Sequence, residues 1–204
     1  MAARPGLRVG AVGLGAGSLA GYMQPGQEWT YFEIDPVVAR LARDERYFTY
    51  LRDAPVPVRV VIGDARLSLG HEPDQAFDLL VLDAYSADSI PVHLATREAL
   101  ALYLRKLAPG GVLAFHISNW HLDLESVFAN LARDAGIACL VRDDTTLSPA
   151  QQESGKSPSV WIAMARTPAD LAFLTSGGRW QNARTSGNPG WTDDFSSVLS
   201  VFRS

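Results

Sequence analysis

From residue 7 to about residue 141 the chain alternates short apolar runs with amphipathic stretches, and this order limits the available folds more than any other feature. Residues 7–12, 29–34, 58–62 and 77–82 read as buried strands, each closed by glycine, by an acid or by both. Residues 18–23 read as the start of a helix stopped by Pro25-Gly26, and residues 37–47 carry helical spacing with arginines on the polar side. Residues 96–107 form a clear amphipathic helix with Thr96 as N-cap, ended by Pro109-Gly110-Gly111. A fifth strand spans 112–117, and a further helix spans 124–135 with Gly136 as its C-cap. Strand–helix–strand order predicts parallel strands joined by right-handed crossovers, with helices on both sheet faces.

Residues 137–141 and 160–165 read as two more strands, joined by the polar loop 142–158 without a helix, and therefore as an antiparallel pair at the edge. The predicted fold class is α/β: a Rossmann-like, doubly wound, mainly parallel sheet of seven strands with an antiparallel edge strand. The Gly/Ser/Asn-rich stretch 176–190 reads as a surface loop leading into an apolar segment, 195–202, too short to be a domain. Residues 1–204 are expected to form a single domain.

Charge and cysteine content remove several functions. Eighteen basic residues against 22 acidic ones leave a net charge of −4, so the chain has no bulk attraction for nucleic acid or anionic lipid. The lone Cys139 excludes an internal disulfide and a Cys-rich zinc site, and points to a reducing, cytoplasmic setting. The uncharged stretch 9–27 is glycine-rich and too poor in large apolar side chains to insert into a membrane. It resolves into a strand and a glycine turn, unlike the core of a signal peptide. The histidines His71, His93, His116 and His121 show no metal-ligand spacing, so no metal is expected.

In an open α/β sheet the site lies at the carboxyl ends of the strands. Gly13, Gly15 and Gly17 allow close backbone approach to a ligand and present amide N–H groups. A dinucleotide fingerprint would place glycine at Ser18, so a nicotinamide dehydrogenase fits poorly. Glu33, ending the second strand, can accept both hydroxyls of a ribose, while Asp35 before Pro36 caps the next helix. Asp64 can accept the exocyclic amine of adenine, with the Ala65 N–H donating to a ring nitrogen; the plainer alternative for Asp64 is a helix cap. Asp83 ends the fourth strand and can attract a cationic amine and take a proton from it. Tyr85 and Asp88 in the following loop can assist. His116 is a strand-end residue facing the same pocket. His71, His93 and His121 read as surface or loop residues. Trp161 and Cys139 read as core.

The motifs Val12-Gly13-Leu14-Gly15-Ala16-Gly17, Phe32-Glu33-Ile34-Asp35-Pro36, Ile62-Gly63-Asp64-Ala65-Arg66 and Leu80-Val81-Leu82-Asp83-Ala84-Tyr85-Ser86-Ala87-Asp88 resemble those of the spermidine synthase family, within the class I S-adenosylmethionine-dependent transferase fold. Asp88-Ser89-Ile90-Pro91-Val92-His93-Leu94, His116-Ile117-Ser118-Asn119 and Trp191-Thr192-Asp193-Asp194 resemble in particular the bacterial spermidine-synthase-like domains fused to transporter-like membrane segments. The resemblance implies S-adenosylmethionine or its decarboxylated form as co-substrate, and a small amine as acceptor. It implies a place in polyamine biosynthesis and Asp83 as the group that helps deprotonate the amine. It also makes Asp193 and Asp194, beside Trp191, candidates for gripping a cationic amine, against the plainer reading of solvent-facing acids.

The chain departs from that family at Ala16, where aminopropyltransferases place an aspartate for the aminopropyl amine. It also begins at the first sheet strand, so the N-terminal β-domain of full aminopropyltransferases is expected to be missing. A small-molecule methyltransferase and a non-catalytic nucleoside-binding module therefore stay open as alternatives. A homodimer is among the assemblies left open.

Overall fold

The computed structural model describes residues 6–84, 91–119, 122–197 and 201. Among them the expected alternation appears as β1 (Arg8–Val12), β2 (Glu28–Glu33), α1 (Pro36–Arg43), β3 (Val58–Ile62), α2 (Ala65–His71), β4 (Phe77–Leu82), α3 (Arg97–Lys106), β5 (Leu107–His116), α4 (Leu124–Ala135), β6 (Ala138–Asp144), α5 (Pro149–Glu153), β7 (Ser159–Ala165), α6 (Ala172–Thr175) and β8 (Gln181–Asn182). The strands form one sheet in the order β3-β2-β1-β4-β5-β7-β6-β8. Pairing from β3 through β5 is parallel, and β7 runs antiparallel to both β5 and β6. The mainly parallel α/β sheet is therefore present, and a two-residue eighth strand from the tail pairs with β6.

Several boundaries differ from the sequence reading. The segment after the glycine loop is a short 3₁₀ turn, Ser18–Tyr22, with no buried residue to anchor a longer helix. The first α-helix ends at Arg43, because the Asp44 carboxylate takes the N–H and guanidinium of Arg46 and turns the chain. The helix before Pro109-Gly110-Gly111 stops at Lys106, and those three residues lie inside β5, where the β4–β5 register shifts. The loop between β6 and β7 does contain a helix, α5. It is built on a capping box in which Ser148 and Gln151 satisfy each other's backbone N–H groups. Thr96 and Gly136 do act as the expected caps.

The two faces of the sheet are filled differently. Leu80 and Leu82 of β4 and Leu113 and Phe115 of β5 point to one face, where they pack with α2, α3 and α4 in one large apolar cluster. On the other face, one cluster lies under α1 and the glycine loop, and a second lies under α6. Between them runs a groove of about 520 Å³ floored by Val9, Leu79, Val81, Val112, Ala114 and Ala163. No helix among the described residues is long and apolar enough to cross a membrane.

Candidate functional site

The glycine loop follows β1 because the parallel ladder continues past the strands. Gly13 N–H donates to the Phe32 carbonyl at 2.9 Å, and Asp83 N–H donates to the Val12 carbonyl at 2.9 Å. A Cβ on Gly13 would lie 2.4 Å from the Asp83 carbonyl oxygen, so this approach of β1 to β4 requires glycine. Gly15 has open space where its Cβ would stand, which leaves the crest of the loop clear for a ligand. Ala16 beside it is exposed and brings no charge to the crest.

Glu33 holds this loop. Its Oε2 accepts the Leu14 N–H and its Oε1 accepts the Asp35 N–H, both at 2.9 Å. The carboxylate is buried, with 7% of the residue exposed, yet each oxygen keeps a second lone pair for a hydroxyl. Asp35 caps α1 through the Val37 N–H, as its position before Pro36 suggested.

Asp64 caps α2, accepting the Leu67 N–H at 2.9 Å, and its other oxygen lies 3.1 Å from Nε2 of His93. His93 is exposed, as a surface residue should be, and it joins this constellation through Asp64. Ala65 next to Asp64 is buried. Around Glu33 and Asp64 three large apolar side chains are exposed: Ile34 at 67%, Leu67 at 69% and Ile62 at 45%.

Asp83 meets His116, whose Nδ1 lies 2.7 Å from Oδ1. The imidazole stacks on Trp161, with centroids 4.7 Å apart and planes 15° from parallel. Ser118 Oγ lies 2.7 Å from Nε2 and accepts the Val160 N–H at 2.9 Å. Trp161 is therefore more than core filling. Tyr85, Asp88 and His121 lie outside the described residues.

Asp193 is engaged by Arg66, which donates from two nitrogens at 2.7 and 2.6 Å, and by the Thr96 hydroxyl at 2.8 Å. The hydrogen bond from Arg66 is the main cause holding the Asp193 carboxyl below the ordinary carboxylate range. This latch ties the tail to α2 and to the start of α3, where the Arg97 N–H also donates to the Trp191 carbonyl. Asp194 is exposed.

Sequence reasoning missed Tyr50. Its hydroxyl donates to the Gly15 carbonyl at 3.0 Å, and its ring lies 2.4 Å from where a Gly17 Cβ would be. Burial, with the nearby Glu33 charge adding, pushes the Tyr50 hydroxyl up to about 12. Below the loop, the Tyr31 hydroxyl is buried with no hydrogen-bond partner among the described residues. Its ionisation is disfavoured first by burial and then by Tyr50 and Asp83. Tyr50 carries no local signal, since the residue it holds lies 35 positions away in the chain.

No family model matches the chain. A curated polyamine aminopropyltransferase of Vibrio vulnificus (strain CMCP6) is 37% identical over 111 residues, which cover 52% of this chain and 36% of that protein. The chain thus spans little more than a third of that relative's length. Among solved structures, a probable spermidine synthase from Corynebacterium glutamicum superposes with a TM-score of 0.64 at 21% identity, over 94% of this chain and 74% of that one. A precorrin-6y C5,15-methyltransferase from Geobacter metallireducens superposes with a TM-score of 0.54 at 18% identity, over 81% and 82%. The chain is similar in sequence to a polyamine aminopropyltransferase, and its fold is the class I fold shared by spermidine synthases and S-adenosylmethionine-dependent methyltransferases.

Proposed function

We propose that this chain binds S-adenosylmethionine or its decarboxylated form across the ends of β1, β2 and β3, and transfers an alkyl group, aminopropyl in the first reading, to an amine held at Asp83. The observation that carries the nucleoside half is the Glu33 carboxylate, which fixes the glycine loop and keeps a lone pair on each oxygen for the two ribose hydroxyls. The exposed Ile34, Ile62 and Leu67 suit the faces of a flat aromatic base. Asp64, already capping α2, has one oxygen toward His93 and can share it with an exocyclic amine. When bound, the sulfonium supplies the electrophilic carbon, while the protein positions it and receives a proton at Asp83.

The similarity to the aminopropyltransferase of Vibrio vulnificus supports transfer to an amine of the polyamine kind. Methyl transfer is the second reading. It is favoured by the exposed Ala16, which itself brings no acid to the loop crest to meet an aminopropyl ammonium. Calorimetric titration with decarboxylated S-adenosylmethionine, S-adenosylmethionine, methylthioadenosine and NAD tests the proposal. Binding of the decarboxylated form and of methylthioadenosine in preference to S-adenosylmethionine supports aminopropyl transfer. Preference for S-adenosylmethionine supports methyl transfer, and binding of NAD alone overturns both.

A further inference from the structure

His116 is held from three strands at once. Its Nδ1 lies 2.7 Å from Oδ1 of Asp83 at the end of β4. At that distance a proton must lie between the two atoms, because facing lone pairs repel. An ionised carboxylate has none to offer, so Nδ1 carries it. On the far side of the ring, Nε2 lies 2.7 Å from Ser118 Oγ. That oxygen already accepts the Val160 N–H from β7 at 2.9 Å, which leaves the hydroxyl hydrogen free to point at Nε2. The ring plane is set by the stack on Trp161 of β7. The Ile117 N–H donates to the Val160 carbonyl at 2.8 Å, so the backbone carrying Ser118 is itself fixed to β7.

We infer that His116 is a positioning residue: its Nδ1–H orients the Asp83 carboxylate so that Oδ2 receives the amine, while Ser118 and Trp161 fix the tautomer and plane of the ring. This rests on the reading of Asp83 as proton acceptor in the proposed transfer. In the step, the amine nitrogen attacks the carbon bound to the sulfonium. The N–C bond forms, the C–S bond breaks, and its electron pair stays on sulfur, which leaves as a neutral thioether. One proton passes from nitrogen to Oδ2 of Asp83 and then to solvent. His116 gains and loses none. A hydrogen bond to an ionised group is among the strong ones, and it locks the tautomer through the opposite ring nitrogen.

The test has two arms. In a transfer assay with decarboxylated S-adenosylmethionine and putrescine, His116→Phe is expected to lower kcat roughly ten- to a hundredfold with KM for the nucleoside little changed. His116→Asn, whose amide N–H can stand where Nδ1–H stood, is expected to recover most of that loss. Undiminished kcat in His116→Phe, or equal losses in both variants, overturns the inference. The second arm needs no turnover. Nitrogen-15 spectra of the imidazole at pH 8 are expected to show the neutral Nδ1–H form in the wild type and its loss in Asp83→Ala. A wild-type ring protonated on Nε2 alone overturns the inference even in an active enzyme. If the wild type turns over nothing in the assay, the failure belongs to the proposed reaction, and the spectra alone decide the role of His116.

Discussion

The two faces of the sheet differ in what their strands deliver at the carboxyl ends. On the face under α2, α3 and α4, alternate residues stay apolar to the last position: Phe32 on β2, Leu80 and Leu82 on β4, Leu113 and Phe115 on β5. On the opposite face the alternation ends in polar or aromatic groups: Trp29-x-Tyr31-x-Glu33, Leu79-x-Val81-x-Asp83, and Val112-x-Ala114-x-His116, which meets Trp161 of β7. Because successive side chains on a strand point to opposite sides, one pleat separates cohesion from chemistry. The filled face holds the strands in register. The other face brings its strand ends to the candidate site and is left with a groove in its middle.

Removing mass from the filled face should have the largest effect on stability. Phe115 is 1% exposed and sits with its ring 4.3 Å from Phe128 and 6.1 Å from Tyr103, centroid to centroid. Phe115→Ala is expected to cost about 3–5 kcal/mol, read as a drop in the urea midpoint. A cost near 1 kcal/mol would show that this face is not the main source of cohesion.

Glu33→Ala comes next, and it touches both roles. Two N–H groups, those of Leu14 and Asp35, lose their acceptor. Stability is expected to fall by about 1–3 kcal/mol, and methylthioadenosine affinity to fall at least roughly tenfold. Loss of stability with unchanged affinity would confine Glu33 to holding the loop.

What the sequence made legible follows from range. Strand ends closed by glycine or acid are local patterns, so Gly13, Glu33, Asp64 and Asp83 fall where the alternation puts them. Caps such as Thr96 and Gly136 are equally local. Contacts that join distant segments left no such mark. The Tyr50 hydroxyl reaches Gly15 across 35 positions, Ser118 takes the Val160 N–H across 42, and Arg66 grips Asp193 across 127. The role suggested for Asp193 as a cation receiver had no way to include Arg66, since nothing in Trp191-Thr192-Asp193-Asp194 records a cation waiting on α2. The helix in the 142–158 loop was missed for a different reason. Its capping box was present in the sequence, but the helix is only five residues long and buries nothing.

The tail latch crosses from the filled face to the edge of the candidate site, and a pH titration isolates its contribution. The Asp193 carboxyl is depressed in the folded chain, chiefly by Arg66. Its contribution is therefore present above the unfolded value of about 4 and is lost as pH falls through the lower folded value. The pair is partly exposed, so Asp193→Asn at pH 7 is expected to cost under about 1 kcal/mol. The buried Trp191 gives the readout, and its fluorescence should report loosening below about pH 4 in the wild type. In Asp193→Asn that step should be absent. The same acid step in both proteins would move the titrating group elsewhere.

The smallest expected effect is also the most direct comparison of the two faces. Ala114 on β5 is half-buried and floors the groove, while Ala99 on α3 is fully buried in the filled cluster. Adding two methyl groups to a packed position forces neighbours out of their rotamers and costs about 1–3 kcal/mol, so Ala99→Val should be destabilising in that range. The same change at Ala114 meets open volume, and valine suits a strand better than alanine does. Ala114→Val is therefore expected to shift stability by under about 0.5 kcal/mol in either direction, the size of an ordinary surface substitution. Matched chemical denaturation of the two variants decides the point. Equal costs would mean that the groove closes in solution, and that the two faces are packed alike despite their different strand ends.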